Sequence, residues 1–335
     1  MGLRKKILAI QYGLGPIGIE TARLVLRKTG MEIVGAVDIS RDLAGKDLGE
    51  ILGFGDKTGI IVTDNAKALF SKVKADVVIH TAGSRIKKIF PQLEEIINAG
   101  LNVISSSEEL LFPLKGNAGL AEKIDKLARM KNVTVLGTGV NPGFVMDALP
   151  LFLSAVCQEV RKIRVERVVD AGTRRYPLQK KIGAGMTTQM FHEKISRKEL
   201  GHVGLLESLY LVAQKLGMGL DDVIETIDPV VAEKAVKTQY FSLKRGDVAG
   251  IKHIARGIRG GEVIITLDLR MYIGADDPHD AVHIVGTPEI RLRIEGGIAG
   301  DQATAAVLVN SIKTVVGAKP GLTTVSDLPA AHFTK

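Results

Sequence analysis

Two stretches in the first half of this chain carry residue types at spacings that suit chemistry. The first reads Gly13-Leu14-Gly15-Pro16-Ile17-Gly18, a glycine triplet at the G-x-G-x-x-G spacing, and Asp38 stands twenty residues past the last glycine. An apolar run over 6–12 precedes it, and an apolar-periodic segment through Ala22, Leu24 and Val25 follows, the context that a dinucleotide-binding turn requires. In such a turn the first glycine permits the sharp bend, the second lets a pyrophosphate approach the backbone, and the third lets helix pack on strand. The phosphates then lie on free N–H groups at a helix N-terminus. Asp38 is placed to accept from ribose hydroxyls, which suits NAD, whereas Ser40 and Arg41 suit a 2′-phosphate, so NAD and NADP both stay open.

The second stretch is Ser105-Ser106-Ser107-Glu108-Glu109-Leu110, two adjacent carboxylates after an apolar run. Either can serve as acid or base from a partly desolvated position. The alternative is that Ser106 or Ser107 caps a short helix whose first turn holds both glutamates. Thr81-Ala82-Gly83 supplies small residues against which a nicotinamide ribose can lie, and Asn141-Pro-Gly-Phe144 supplies an amide and an aromatic wall, or a plain turn. Further on, Asp170 to Thr188 joins Arg174-Arg175 and Lys180-Lys181 to a glycine-rich helix entry at Met186 and Thr187. Such an entry can bind a carboxylate through its amides, with Thr173 and Arg174 fixing it from the strand side, unless it is only a solvated basic loop. His192, His202, His253, His279 and His283 form no metal-spaced set with carboxylates or the lone Cys157, so no metal is expected.

The elements that must position these residues follow an α/β rhythm up to about residue 145. Candidate strands lie at 6–12, 32–38, 59–63, 76–81, 102–105 and 133–137, with helical segments near 16–28, 88–99 and 116–130. This is a Rossmann-type doubly wound parallel sheet, whose ligand crevice lies at the carboxyl ends of the strands. Three parts are expected: a dinucleotide-binding domain over 1–145, a substrate-binding and dimerisation α+β domain over 146–298, and a C-terminal helix and tail over 299–335 packing back on the first domain. The second part reads as a strand at 163–170, helices near 187–197, 202–217 and 220–227, and then a mostly antiparallel sheet with Gly260-Gly261 turning a hairpin.

At 335 residues, two domains are the default. The net charge of +8 invites nucleic acid as a partner, but aromatics are only 4% and tryptophan is absent, so stacking platforms are scarce. An electropositive basin for an anionic cofactor and substrate accounts for the charge equally well. No run approaches the roughly 20 apolar residues of a membrane span, and the N-terminus runs straight into the first strand without a signal peptide. Cys157, among Leu151, Phe152, Leu153 and Val156, is expected as a buried thiol in a cytoplasmic protein.

Taken together, Gly13 to Gly18, Ser105 to Leu110, Gly137-Thr-Gly-Val-Asn-Pro-Gly-Phe144 and Gly201-His-Val-Gly-Leu-Leu-Glu-Ser208 resemble the 2,4-diaminopentanoate dehydrogenase family nearly end to end. The related native amine dehydrogenases share its fold, which is similar to dihydrodipicolinate reductase. The resemblance implies oxidative deamination at C4 of (2R,4S)-2,4-diaminopentanoate to 2-amino-4-oxopentanoate, ammonia and NAD(P)H, a step of ornithine breakdown, reversible as reductive amination. It maps the family's acid–base glutamate onto Glu108, beside Glu109. Asn141 and Phe144 would position the substrate, and Thr173, Arg174, Met186 and Thr187 would hold its remote carboxylate. The dinucleotide would lie on Gly13 to Gly18, Asp38, Ser40, Arg41, Thr81, Ala82, Gly83, Ser106 and Asn141. A homodimer handling a small diamino acid or amine is expected, with no nucleic-acid or membrane partner. Alternatives are an amine dehydrogenase for simple amines and ketones, or a reductase like dihydrodipicolinate reductase. The His-His…Lys and Pro-Ser-Gly-Thr-Ala pattern of the latter is replaced here by Arg174-Arg-Tyr-Pro and Gly183-Ala-Gly-Met-Thr.

Overall fold

The computed structural model describes residues 6–113 and 115–335. Residues 1–5, read above as leading into the first strand, lie outside the described residues. The chain forms two compact units, residues 1–144 with 299–335, and residues 145–298.

In the first unit strands alternate with helices. They are β1 (Ile7–Tyr12), α1 (Pro16–Leu26), β2 (Met31–Val37), α2 (Leu48–Ile51), β3 (Val62–Thr63), α3 (Ala66–Lys72), β4 (Val77–His80), α4 (Ile86–Asn98), β5 (Asn102–Ser105), α5 (Ala118–Met130) and β6 (Thr134–Gly137). Val77, Val78 and Ile79, like Val103 and Ile104, are buried on consecutive positions, as central strands covered by helices on both faces must be. On α4 the residues Ile86, Ile89, Leu93, Ile96 and Ile97 recur at helical spacing and are all buried, which fixes the face it turns to the sheet. The strand expected at 59–63 is reduced to Val62–Thr63, and α3 has no counterpart among the expected elements.

The second unit opens with α6 (Ala148–Ser154), β7 (Glu159–Asp170), α7 (Tyr176–Lys181), α8 (Thr188–Ser196), α9 (Leu205–Lys215) and β8 (Asp222–Val231). A short ladder, β9 (Val236–Lys237) and β10 (Ser242–Leu243), precedes β11 (Val248–Arg259), β12 (Glu262–Tyr272), β13 (His279–Thr287) and β14 (Ile290–Glu295). The main sheet runs β14-β13-β7-β12-β11-β8, parallel only between β7 and β12. Gly260 and Gly261 turn the β11–β12 hairpin with φ of +59° and +79°, the conformation that such a two-residue loop demands.

Two expectations fail in this unit. The helix expected near 220–227 is the edge strand β8, paired with β11 from Asp222 opposite Ile258 to Val231 opposite Val248. Leu220, Val223, Ile224 and Ile227 have helical spacing, but the β-branched residues and the cross-strand ladder prevail. Its Pro229 is tolerated because the strand lies at an edge. Cys157, expected in the core, is half-exposed with Sγ 3.6 Å from the Pro288 carbonyl. The preceding α6 buries little of itself, and Phe152 and Val156 stand open to solvent.

The chain then returns to the first unit as α10 (Gly300–Val316) and β15 (Gly321–Thr323). Ala305, Leu308, Val309, Ile312 and Val315 of α10 are buried, and most of that face joins one core with Ala22 and Val25 of α1. β15 pairs with β6, giving a seven-stranded parallel sheet in the order β15-β6-β5-β4-β1-β2-β3. Across its carboxyl edge the last residues fall in register as Val37, Tyr12, His80, Ser105 and Gly137. His80 is fully buried, with Nε2 2.8 Å from Gln92 Oε1 and Nδ1 2.9 Å from Ser105 Oγ. Burial pulls its imidazole down to about 4, partly opposed by the Gln92 hydrogen bond.

In the second unit Arg167 and Asp280 form a buried pair, with Nη1 2.7 and 2.6 Å from the two carboxylate oxygens. Arg167 Nη2 donates to the Ile298 carbonyl, and the Ile298 amide donates to Asp280, each at 2.7 Å. Asp280→Ala leaves a buried guanidinium uncompensated, so urea titration should show a loss of about 3–5 kcal/mol. A change below about 1 kcal/mol would mean that water reaches the pair. For His80, the unfolded chain takes up a proton below about pH 6.5 and the folded chain only below about 4. Stability should therefore fall as pH drops through that window, by up to about 3 kcal/mol at its lower end. His80→Gln should flatten this part of the stability–pH curve relative to the parent, leaving the contribution of other histidines in place.

Candidate active site

At the end of β1 the chain turns through Gly13 at φ +90°, a conformation that costs only glycine nothing. A Cβ on Gly18 would collide with the Gly13 carbonyl oxygen, whereas one on Gly15 would meet nothing within 4 Å. Gly18 thus serves the packing of α1 on the turn, and the space above Gly15 is open. The N-terminus of α1 has no side-chain cap, so its first amides are left to a ligand. A dinucleotide pyrophosphate fits this cradle. Further polar capacity is unused just past other strand ends of the sheet: Ser107 Oγ after β5 and Thr138 Oγ1 after β6 are buried and have no hydrogen-bond partner among the described residues.

The turn is braced from three sides. Thr81 Oγ1 donates to the Gly13 carbonyl at 2.8 Å, and Gln11 Nε2 donates to the same oxygen at 2.9 Å. Asp38 accepts from the Leu14 amide at 2.6 Å and from the Ser40 amide at 2.8 Å. Asp38 therefore both caps its own loop and sits against the glycine turn, with Arg41 exposed beyond it. Ala82 and Gly83 are exposed at the end of β4. Gln11 was not anticipated, since a polar residue inside an apolar strand is its only mark in the sequence.

The two glutamates have different surroundings. Residues Glu108–Leu110 form a single 3-10 turn after Ser107, whose side chain makes no capping bond. Glu109 is buried and fully engaged: Oε1 lies 2.7 Å from Arg85 Nη1, and Oε2 accepts from the Ile86 amide at 2.8 Å and from Asn117 Nδ2 at 3.3 Å. It caps α4, the role expected for a carboxylate at a helix start, but on a helix other than its own. Glu108 is half-buried; its carbonyl accepts from the Leu111 amide at 3.2 Å, but its carboxylate makes no hydrogen bond or ion pair among the described residues. The turn packs tightly on β6, because a Cβ on Gly137 would strike the backbone of Leu110 and Leu111. Ser106, half-buried, donates its amide to the His80 carbonyl at 3.0 Å. After β6, Asn141 and Phe144 are half-buried, and the Val140 amide donates to Thr304 Oγ1 of α10 at 3.4 Å.

In the second unit Thr173 is exposed and Arg174 half-buried in the loop after β7. Gln179, fully buried, holds this loop by donating to the Arg174 carbonyl at 2.6 Å and accepting from Thr238 at 3.1 Å. Nothing in the sequence singled it out. Thr187 caps α8 by accepting from the Met190 amide at 3.2 Å, and Met186 is half-buried, its carbonyl accepting from the Val248 amide at 2.9 Å. His253 Nε2 lies 2.8 Å from Glu225, and the His202 ring 6.5 Å away is kept neutral by burial first, then by Lys181. Among the described residues no three His, Cys, Asp or Glu side chains form a metal-binding group, and no helix is long and apolar enough to cross a membrane.

Comparison with known proteins bears on the family and the fold. The family model for the 2,4-diaminopentanoate dehydrogenase C-terminal domain matches residues 144–334, and that for the dihydrodipicolinate reductase N-terminus matches residues 9–107. A 2,4-diaminopentanoate dehydrogenase from Acetoanaerobium sticklandii is 33% identical over 332 residues, covering 97% of this chain and 94% of the relative. An amine dehydrogenase from Streptomyces virginiae is 26% identical over 350 residues, 96% of each chain. The solved structure of an amine dehydrogenase from Mycobacterium smegmatis superimposes with a TM-score of 0.86 at 25% identity, covering 98% of this chain and 97% of that one. With matches of this extent on top of a dinucleotide turn and an unengaged glutamate, the chain belongs to the 2,4-diaminopentanoate dehydrogenase family.

Proposed function

We propose that this protein is an NAD(P)-dependent amine dehydrogenase that deaminates 2,4-diaminopentanoate oxidatively at C4 to 2-amino-4-oxopentanoate and ammonia. The observation that carries the site assignment is the contrast between Glu109, tied to Arg85 and Ile86, and Glu108, whose half-buried carboxylate has no partner among the described residues. The dinucleotide is held by Gly13 to Gly18 and Asp38, with Ser40, Arg41, Thr81, Ala82, Gly83, Ser106 and Asn141 around it. When bound, its nicotinamide supplies the acceptor for the hydride leaving C4.

The chain's own part is proton management. An ammonium has no lone pair, so C4 cannot release hydride until the nitrogen is deprotonated. Glu108 accepts that proton, and a half-buried carboxylate is suited to do so. Once the C4–H electron pair has left, water adds to the carbon of the resulting iminium. The added water gives up one proton to solvent, Glu108 returns its proton to nitrogen so that ammonia can depart, and the remaining hydroxyl proton leaves as the C=O forms. Asn141 and Phe144 orient the substrate. Thr173 and Arg174, with Met186 and Thr187 on the same loop system of the second unit, hold the remote carboxylate. A cytoplasmic homodimer completes the proposal. A second reading, activity on simple amines, is favoured by the likeness to the amine dehydrogenase from Streptomyces virginiae.

Following NAD(P)H formation with 2,4-diaminopentanoate and a panel of simple amines separates the two readings. Glu108→Gln should lower kcat by about 100-fold or more while dinucleotide affinity is kept. Glu109→Gln, which loses a charge-assisted bond to Arg85, should cost stability first and turnover less. Normal turnover by Glu108→Gln together with loss in Glu109→Gln would shift the role by one residue.

A further inference from the structure

We propose that His80 is a positioning residue for this reaction, acting through Ser105 on the turn that carries Glu108. The inference rests on the reading of Glu108 as the proton acceptor. The side-chain bonds run in one direction. Gln92 offers an amide oxygen to His80 Nε2 at 2.8 Å, and an amide oxygen can only accept, so the imidazole proton sits on Nε2. Nδ1 therefore presents a lone pair, and the Ser105 hydroxyl 2.9 Å away must donate to it. That leaves Ser105 Oγ with its own lone pairs facing the Ser107 amide, which donates to it at 3.1 Å. The chain of bonds ends one residue before Glu108.

Each member is held from behind. His80 and Ser105 are directly paired at the ends of β4 and β5 and are both fully buried. The Ser106 amide takes the His80 carbonyl at 3.0 Å, so backbone and side chain of the same histidine grip successive residues of the turn. Tyr12, next in the register row, packs its ring 5.4 Å from the imidazole and limits its rotation. The imidazole stays neutral well below the pH at which an exposed histidine gains its second proton. The Nε2-H tautomer, and the direction of every bond after it, thus persists over the working pH range. With Glu109 fixing the far side of Glu108, the turn is gripped at both ends, and the carboxylate between them has no partner among the described residues. A packed apolar pair in place of His80 and Ser105 would fill the same space but would leave the Ser107 amide unsatisfied.

The test uses the full-length protein with its dinucleotide. Kinetics are expressed per dinucleotide-binding site, so a misfolded fraction does not count. Ser105→Ala removes both bonds made by the hydroxyl and should lower kcat by about 10- to 100-fold, the scale of an ångström-level misplacement. The amine KM and the dinucleotide Kd should stay within about twofold, because neither ligand is bound by this hydroxyl. Gln92→Ala, on the half-buried face of α4, removes only the acceptor that sets the tautomer and should lower kcat by about threefold with the same sparing of KM. It decides the matter if Ser105→Ala does not fold. Unchanged kcat in both variants, or parallel losses in kcat and dinucleotide affinity, would overturn the relay. Glu108→Gln run alongside separates the two ideas: if it turns over normally, the reading of Glu108 has failed. If it is inactive while Ser105→Ala and Gln92→Ala are normal, only the relay has failed.

Discussion

The N-terminus of α4 needs an acceptor for its first amides, and Glu109 supplies it from the next strand end. No side chain of α4 itself caps that end. The Glu109 carboxylate answers the Ile86 amide and the Arg85 guanidinium together, which is why it tolerates burial. Adjacent residues of a tight turn point in different directions. Once Glu109 is committed to α4, Glu108 is turned elsewhere, and the rest of the site follows from that division. Gly137 lets the turn sit on β6 without a side chain between them. The parallel sheet contributes the remaining requirement, since its strands all end on the same edge and bring their terminal residues into one row.

Three further carboxylates that turn inward follow the same rule. Asp47 accepts from the amides of Gly49, Thr58 and Gly59 at 2.7, 2.9 and 2.8 Å, and the Thr58 bond first holds it below the usual carboxylate range. Asp38 accepts from Leu14 and Ser40, and Asp280 from Arg167 and Ile298. At Asp47 and Asp38 the loop closes N–H groups around the charge, so the charge organises backbone that has no strand or helix to pair with. Glu108 departs from this rule. Its half-buried carboxylate has no such donors among the described residues.

How much of this was legible beforehand depends on the range of the interactions. The glycine turn, the strand ends and the Gly260-Gly261 hairpin depend on local geometry, and their residue types announce it. β8 was misread because Leu220, Val223, Ile224 and Ile227 fit a helical stripe, while the ladder that makes it a strand is supplied by residues some thirty positions later. β15 is three residues long, too short to show a period, and exists because β6 offers it an edge. The adjacency of Glu108 and Glu109 is plain in the sequence, but which of them is engaged depends on Arg85 and Asn117. Gln11, Gln179 and His80 were overlooked for the same reason: each is a polar residue whose partners are remote in sequence.

Burying His80 and Ser105 in the row of strand ends removes apolar surface that Val or Ile at those positions would contribute. Its compensation is directional. Apolar packing at the end of β5 would exclude water but could not tell the Ser107 amide where to point, because dispersion contacts depend weakly on orientation. A fully satisfied polar row specifies one arrangement, and any slip of the turn breaks a buried bond whose loss exceeds the gain from forming it. The Glu108 carboxylate, with no side-chain bond to the described residues, is held in place through neighbours fixed this way.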